Sequence, residues 1–401
     1  MTVSSEQPST ILFISTFPPV KCGIASFTQD LVQAIGRVLT KDIEINICAL
    51  DVKSNEGLYK APVSMVMDSH SLDDCIETAA AINSDVHIKM ICVEHEFGLY
   101  GGELGEYLLG FLAMIEKPFV IRYHTVLPDP DAKRLALVRK INQLADKVIV
   151  MTRNSARLLL DAYGLSAEKI VVIPHGTHNN SQMSVRELKR KYQLDNRQVL
   201  CTFGLLSPNK GIEEGILAMR KICAHFPGSM YIVLGQTHPN LIAHEGERYR
   251  EYLQELIEQN SLQNNVRLVN EYVPVDKLME YLALTDIYLF TSKDPNQAVS
   301  GTFLYAMSAG CAIISNSFVL AHEMLDTQTG IILTTNNEDE LAEKAIQLLG
   351  NEPLRKRMGQ NAFLRTRDTT WQKVSKKHAT LFLNMLQAGG LHTASFSQLA
   401  N

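Results

Sequence analysis

Residues 11–35 read ILFISTFPPVKCGIASFTQDLVQAI, and this stretch decides how the rest of the chain is understood. Ile11 to Ile14 form an apolar run of buried-strand character. Ser26 to Ile35 repeat apolar residues at helical spacing. The loop between them is stiffened by Pro18 and Pro19 and carries Lys21, Cys22 and a single glycine, Gly23. Strand, tight loop and helix make the first half of a βαβ unit. Such a loop serves either as a plain turn or as a place where a ligand closely approaches the helix N-terminus.

The same alternation runs along the chain. Strands are predicted at ILFIST, IEINICAL, VSMVM, IKMICVEH, PFVIRYH, KVIVMT and KIVVIP in the first half. In the second half they fall at VLCTFGLL, MYIVLGQT, NVRLVNE, IYLFT, AIISN and GIILT. Helices fall between them, among them Ser184–Tyr192, Gly211–His225 and Glu245–Asn260. Strand–helix alternation of this kind predicts parallel sheets covered on both faces. Thirteen strands are too many for one comfortable open sheet, so two sheets are expected. The break is placed in the turn-rich stretch Pro174–Val185, giving domains 1–178 and 179–370 and a final segment 371–401. Ligands of such sheets bind at the carboxyl ends of the strands, here in a cleft between the halves. The small, polar residues of Ala388–Asn401 are expected to be without regular structure.

Composition narrows the function classes. The chain has 401 residues, is 46% hydrophobic and 20% charged, and so can bury a large core. Its net charge of −5 gives no general reason to expect nucleic-acid binding. The seven cysteines are scattered with no Cys-x-x-Cys pair, and they read as buried thiols in a reducing compartment. No apolar run is long enough to span a bilayer, and the N-terminus does not resemble a signal peptide. A soluble, cytoplasmic protein is expected, with peripheral membrane contact left open.

Chemistry should collect at the strand ends. Gly23 would let a ligand approach the backbone beside the amides of Ile24 to Ser26. The stretch VEHEFGLYGG ends a strand with Glu94, His95 and Glu96 and continues through Gly98. It reads as hydrogen-bonding groups for a polyhydroxyl substrate or as a solvated loop, and its spacing fits no zinc pattern. His124 ends another strand and reads as either a satisfied structural histidine or a ligand-facing one. Arg153 ends a third and reads equally as cleft cation or surface residue. In the second half, a strand ends at Gly204 and passes through Asn209 to Lys210, just before a helix. A lysine at a helix N-terminus opposes the helix dipole, which makes sense if an anion binds there. Ser300 can cap the helix beginning Gly301–Thr302, whose free amides then offer a phosphate site. Gln297 lies just upstream. Tyr305 falls within that helix and reads first as a packing residue.

Together, TFPPVKCGIASFTQDL, EHEFGLYGG, HTVLPDP, TFGLLSPNKGIEEGI, LGQTHPNLIAHEGERYREYL and SGTFLYAMSAGCAIIS resemble the motifs of retaining nucleotide-sugar glycosyltransferases of the fourth sequence family (group 1), in a bacterial branch. The resemblance covers nearly the whole chain. It implies an α/β protein of GT-B architecture, with two facing Rossmann-like domains and a deep interdomain cleft. The N-terminal domain would bind the acceptor through His95, Glu96, Gly98 and Arg153. The C-terminal domain would bind the donor, a nucleoside diphosphate sugar, through Gly204, Asn209, Lys210, Gln297, Ser300, Gly301 and Thr302. The last helix, near Trp371–Leu386, would return to the first domain. Lys210 matches the family's diphosphate lysine, His124 the histidine that contacts the transferred sugar, and Gly23 the loop beneath the diphosphate.

Three positions depart from the family pattern. Leu205 stands where arginine is usual, and Gln297 and Tyr305 stand where two glutamates are usual. The implied reaction transfers a hexosyl group with retention, to a glycan, lipid or small-molecule acceptor in carbohydrate biosynthesis. It needs no metal and no cofactor beyond the donor, with GDP-mannose the first donor to consider. The departures keep a non-catalytic sugar-nucleotide-binding subunit in view, alongside a phosphorylase or epimerase of the same architecture. A dehydrogenase is disfavoured because no Gly-x-Gly-x-x-Gly follows the first strand.

Overall fold

A computed structural model describes residues 8–388 of the chain. The chain divides into two compact units, one made of residues up to Gly176 together with those from Trp371 onward, the other of Thr177–Thr370. The tail Ala388–Asn401, expected to lack regular structure, lies outside the described residues apart from Ala388 itself.

The first unit runs β1 (Ser9–Ser15), α1 (Gly23–Gly36), β2 (Ile43–Leu50), β3 (Val63–Met67), α2 (Leu72–Ser84), β4 (Ile88–His95), α3 (Tyr107–Met114), β5 (Phe119–Tyr123), α4 (Ala132–Leu144), β6 (Lys147–Val150), α5 (Arg153–Asp161) and β7 (Ile170–Val172). Its seven strands pair in the order β3-β2-β1-β4-β5-β6-β7, all parallel. Strand order reverses between β1 and β4, so the crevice for a ligand lies at their carboxyl ends. The helix after β1 begins at Gly23, three residues before the expected Ser26. Cys22 is its N-cap, with the thiol sulfur accepting from the Ala25 amide at 3.3 Å. Gly23 is therefore the first residue of a helix and not part of the loop, which corrects the sequence expectation.

The second unit runs α6 (Val185–Lys191), β8 (Val199–Phe203), α7 (Ile212–His225), β9 (Met230–Leu234), α8 (Pro239–Glu245), α9 (Arg248–Gln259), β10 (Val266–Val269), α10 (Val275–Ala283), β11 (Ile287–Phe290), α11 (Gly301–Ser308), β12 (Ala312–Ser315), α12 (Val319–Met324), β13 (Gly330–Ile332), α13 (Glu338–Leu349) and α14 (Glu352–Thr366). Its six parallel strands pair in the order β10-β9-β8-β11-β12-β13, with the reversal between β8 and β11. The helix expected over Glu245–Asn260 is broken at Gly246, whose φ of 65° no continuing helix adopts, and it restarts at Arg248.

The last helix, α15 (Trp371–Ala388), belongs to the first unit. Phe382 packs edge-on against Phe13 of β1, with ring centroids 5.9 Å apart. Trp371 packs against Phe27 of α1 and against His175. Gly176 lies flat against the same indole, where an added Cβ would come within 2.1 Å of the ring. Buried aliphatic residues of the strands fill both sheets, as two-sided parallel sheets require. All seven cysteines are free thiols.

Candidate functional site

In the second unit the expected residues converge at the ends of β8 and β11. Lys210 closes a short turn, Pro208–Lys210, and the next residue, Gly211, is the left-handed N-cap of α7 (φ 59°). A Cβ on Gly211 would lie 2.3 Å from the Thr291 carbonyl, so only glycine lets the turn sit this close to the end of β11. The two loops are laced together. Thr291 Oγ1 donates to the Lys210 carbonyl at 2.7 Å, and the Lys293 amide donates to the Asn209 carbonyl at 2.8 Å. Gly204 lies against Thr302, whose Cγ2 would be 3.3 Å from an added Cβ. Ser300 caps α11 by accepting from the Phe303 amide, and this leaves the amides of Gly301 and Thr302 outside the helical ladder.

Lys210 is the electrostatic feature of this cluster. Its ε-amino group makes no hydrogen bond or ion pair among the described residues. Burial lowers its pKa from the usual lysine value, with Asp294 pulling the other way. By contrast, neighbouring Lys293 is paired with Glu213, whose second oxygen accepts from Tyr249 Oη at 2.7 Å. Half-buried, Lys210 is a cation that feels the charge of Asp294 but has no ion-pair partner among the described residues.

Sequence reasoning missed the support behind this loop. The ends of β8 and β9 continue to bond past the sheet, with a bridge between Leu206 and Thr237. Gly235 (φ 144°) presses so closely on β8 that a Cβ would fall 1.9 Å from the Gly204 carbonyl oxygen. Arg250 Nη2 donates to the Gly235 carbonyl at 2.5 Å, holding that bend from behind. The pKa of His238 is lowered by burial and then by the charge of Lys210, which places it in the same field.

Two of the family's departures have partners of their own. Gln297 Nε2 donates to the Val299 carbonyl at 3.1 Å, and its Oε1 accepts from Ser292 at 3.4 Å. Tyr305 is hydrogen-bonded through its hydroxyl to His178 Nε2 at 3.1 Å and lies parallel to Phe203.

In the first unit the expected residues again lie at the carboxyl ends of strands. Gly23 opens α1 after β1, and beyond its chain neighbours and its own helix backbone an added Cβ would meet no atom of the described residues within 4 Å. The fold's own packing therefore does not ask for glycine there. Glu96 follows β4, accepting from the Phe97 amide at 3.2 Å and from Thr125 Oγ1 at 2.6 Å. Gly98 is exposed in the turn beyond. Arg153 is the exposed first residue of α5, after β6. His124, just past β5, is 12% exposed and packs edge-on against Phe27 at 5.1 Å.

His95 is a correction. It was expected to meet the acceptor, yet it is 1% exposed and packs between the rings of Phe97 and Tyr123. Successive residues of a strand point to opposite faces, and His95 shares its face with Tyr123. Burial pushes its pKa down to about 3, so the ring is neutral. The face expected of His95 belongs to Glu94, which the sequence reading grouped with His95 and Glu96 as a substrate-bonding residue and which instead pairs inside the protein. Glu94 is ion-paired with Arg122, both side chains wholly buried, and its second oxygen lies 2.8 Å from His124 Nε2.

Among the described residues no group of three or more His, Cys, Asp or Glu is placed to hold a metal. No described helix is long and apolar enough to cross a membrane.

Comparison with known proteins adds to this geometry. The sequence model described as "Glycosyl transferases group 1" matches residues 184–365, and that described as "Glycosyltransferase Family 4" matches residues 104–181. An uncharacterized glycosyltransferase of Methanocaldococcus jannaschii, MJ1069, is 27% identical over 244 residues, 59% of this chain and 58% of that protein. A GDP-mannose-dependent alpha-(1-6)-phosphatidylinositol monomannoside mannosyltransferase of Mycobacterium tuberculosis is 22% identical, over 53% of this chain and 55% of its own length. This chain thus spans little more than half the length of these curated relatives. The crystal structure of Anabaena Alr3699/HepE in complex with UDP superposes with a TM-score of 0.73, covering 94% of this chain and 100% of that chain. Sequence identity there is 18%, so this likeness speaks to the fold alone: GT-B, two Rossmann-like α/β domains.

Proposed function

Because this chain belongs to the group 1 glycosyltransferases, we propose that it transfers a hexosyl group from a nucleoside diphosphate sugar to a glycan, lipid or small-molecule acceptor, with retention of anomeric configuration. The observation that carries this reading is Lys210, an unpaired cation at the strand-order reversal of the second unit. A diphosphate supplies the missing negative charge. In the reaction, negative charge grows on the leaving diphosphate while the sugar becomes oxocarbenium-like. Lys210 and the free Gly301 and Thr302 amides stabilise that growing charge. The leaving phosphate takes the acceptor's proton on the face it departs from, so the configuration is retained without a carboxylate nucleophile. Asn209, Gly204, Ser300 and Gln297 line the donor side, Gly23 adjoins the diphosphate, and His124 meets the transferred sugar. Glu96, Gly98 and Arg153 serve the acceptor, which His95 does not reach. The scheme needs no metal.

A thermal-shift screen of UDP-, GDP- and ADP-sugars and their free nucleotides tests the donor half. UDP and GDP lead because the Anabaena structure holds UDP and the mycobacterial relative is named for GDP-mannose. Mannose is the first sugar to try. A ligand at a hundred times its dissociation constant adds roughly 2.7 kcal/mol to folded-state stability. One base should shift the transition selectively, and Lys210→Ala should abolish the shift. A wild-type protein stabilised by none of them would count against the donor site itself.

A second reading is favoured by one observation. Tyr305 stands where a glutamate is usual in the family, and its hydroxyl is already engaged by His178. A chain that binds donor without turning it over would show the selective shift and no sugar transfer or donor hydrolysis.

A further inference from the structure

We propose that Glu94 is a positioning residue: held by Arg122, it fixes the ring of His124 with its proton on Nε2 and leaves Nδ1 as the acceptor that meets a hydroxyl of the transferred sugar. The inference rests on the reading of His124 as the sugar-facing histidine.

Three side chains from adjacent strands make the device. Glu94 of β4 and Arg122 of β5 are register partners, and His124 lies two residues beyond Arg122 on the same face. Glu94 Oε1 accepts from Arg122 Nη1, and Glu94 Oε2 lies 2.8 Å from His124 Nε2. A carboxylate ion-paired to a guanidinium has no proton to give, so the proton between it and the imidazole sits on Nε2. The His124 amide donates to the His95 carbonyl at 3.0 Å, and Phe27 meets the ring edge-on, so the imidazole is held in place as well as in tautomer. Nδ1 has no partner among the described residues.

Stability alone does not explain this arrangement. A buried ion pair is weak evidence of stabilisation, and here Arg122 Nε and Nη2 are buried without partners. What the pair does achieve is to place a neutralised carboxylate beneath His124. A histidine free to choose its tautomer can accept from a sugar hydroxyl or donate to it. Fixing the tautomer fixes the direction: the sugar O–H must donate to Nδ1. The same logic governs metal-ligating histidines, whose outer partner sets the tautomer and whose loss costs about 10- to 100-fold in function.

The direct experiment needs no donor. Long-range proton–nitrogen spectra of the full chain labelled with 15N-histidine, with His124→Asn for assignment, read the tautomer at pH 8. We expect a proton-bearing Nε2 and a bare Nδ1. A proton on Nδ1, or an equal mixture, overturns the proposal whether or not the protein transfers sugar. The functional arm uses UDP-glucose and GDP-mannose as probes. The double variant E94Q/R122Q removes both buried charges together, so neither is left unpaired. It should lower kcat by about 10- to 100-fold with little change in donor KM. Added to His124→Ala, it should cost nothing further, because Glu94 acts only through that ring. Losses that multiply overturn the proposal, and if the double variant fails to fold the tautomer decides alone. Wild-type protein inactive with every donor tried would sink the glycosyltransfer reading and leave the tautomer result standing.

Discussion

The two units use the same sheet logic and treat charge at their strand ends in opposite ways. In the first unit the buried charges described at the ends of β4 and β5 are paired within the protein, Glu94 with Arg122, and the carboxylate also bonds the His124 ring. In the second, Lys210 is desolvated at the end of β8 with no partner among the described residues. One region is a finished scaffold that orients a histidine ring. The other leaves a desolvated cation without an ion pair among the described residues, the feature on which the proposed donor site rests. The difference shows why a buried charge must be judged with its neighbours: the same desolvation cost signals rigidity when paired and a ligand when unpaired.

Four experiments break or sharpen that contrast. The largest effect is expected from Arg122→Met, which strands Glu94 as an uncompensated buried charge. It should cost about 3–5 kcal/mol, read from the urea midpoint, whereas Lys210→Met should leave stability unchanged or raise it. Equal losses in the two variants would erase the distinction. Next comes Lys210→Ala in a transfer assay with the donor chosen by thermal shift. Losing one preorganised charge contact should slow transfer about 10²–10³-fold with the fold intact. Gly235→Ala should then lower stability by about 1–3 kcal/mol and weaken nucleotide binding, because its Cβ has no room beside Gly204. Calorimetry and nucleotide titration would read both, and a variant with wild-type values would remove Gly235 from the support of the β8 loop.

The smallest effect is a pH slope. His95 is neutral when folded because burial lowers its pKa from 6.5 to about 3. The unfolded chain takes up a proton below pH 6.5 that the folded protein refuses. The stability is therefore fully present above pH 6.5 and is lost as pH falls toward 3, by at most about 1.4 kcal/mol per pH unit. Buried His378 acts in the same direction. Urea midpoints at pH 7 and pH 5 should show a shallower fall for His95→Phe than for the parent chain. Parallel curves would show that His95 titrates normally.

The strands were legible because each is a short apolar run between turn residues, and all thirteen fall where the pattern places them. Lys210 was legible because a lysine just before a helix breaks a local rule. Helix starts were harder. A cysteine is not a usual cap, so the onset of α1 at Gly23 went unseen, and Gly246 was read as part of a helix that it interrupts. The hardest question was which of Glu94 and His95 faces which side. In a strand buried on both faces, hydrophobic alternation carries no sign, and adjacent polar residues cannot be assigned to a face. Glu94 gains its meaning from Arg122, 28 residues away on the next strand, and only strand register reveals that partner.

The placement of α15 has a consequence for how the chain comes into being. The second unit is one continuous stretch, Thr177–Thr370, while the first is completed only by the helix that begins at Trp371. On the ribosome, every residue of the second unit emerges before the first can seat Phe382 against Phe13 and Trp371 against Phe27. The half of the molecule that is translated first is therefore the half that finishes last. Until then the apolar side of β1 and α1 waits for a helix more than 330 residues downstream. A chain released before Trp371 would carry every residue of the second unit and leave that apolar side without its helix, an aggregation-prone exposure.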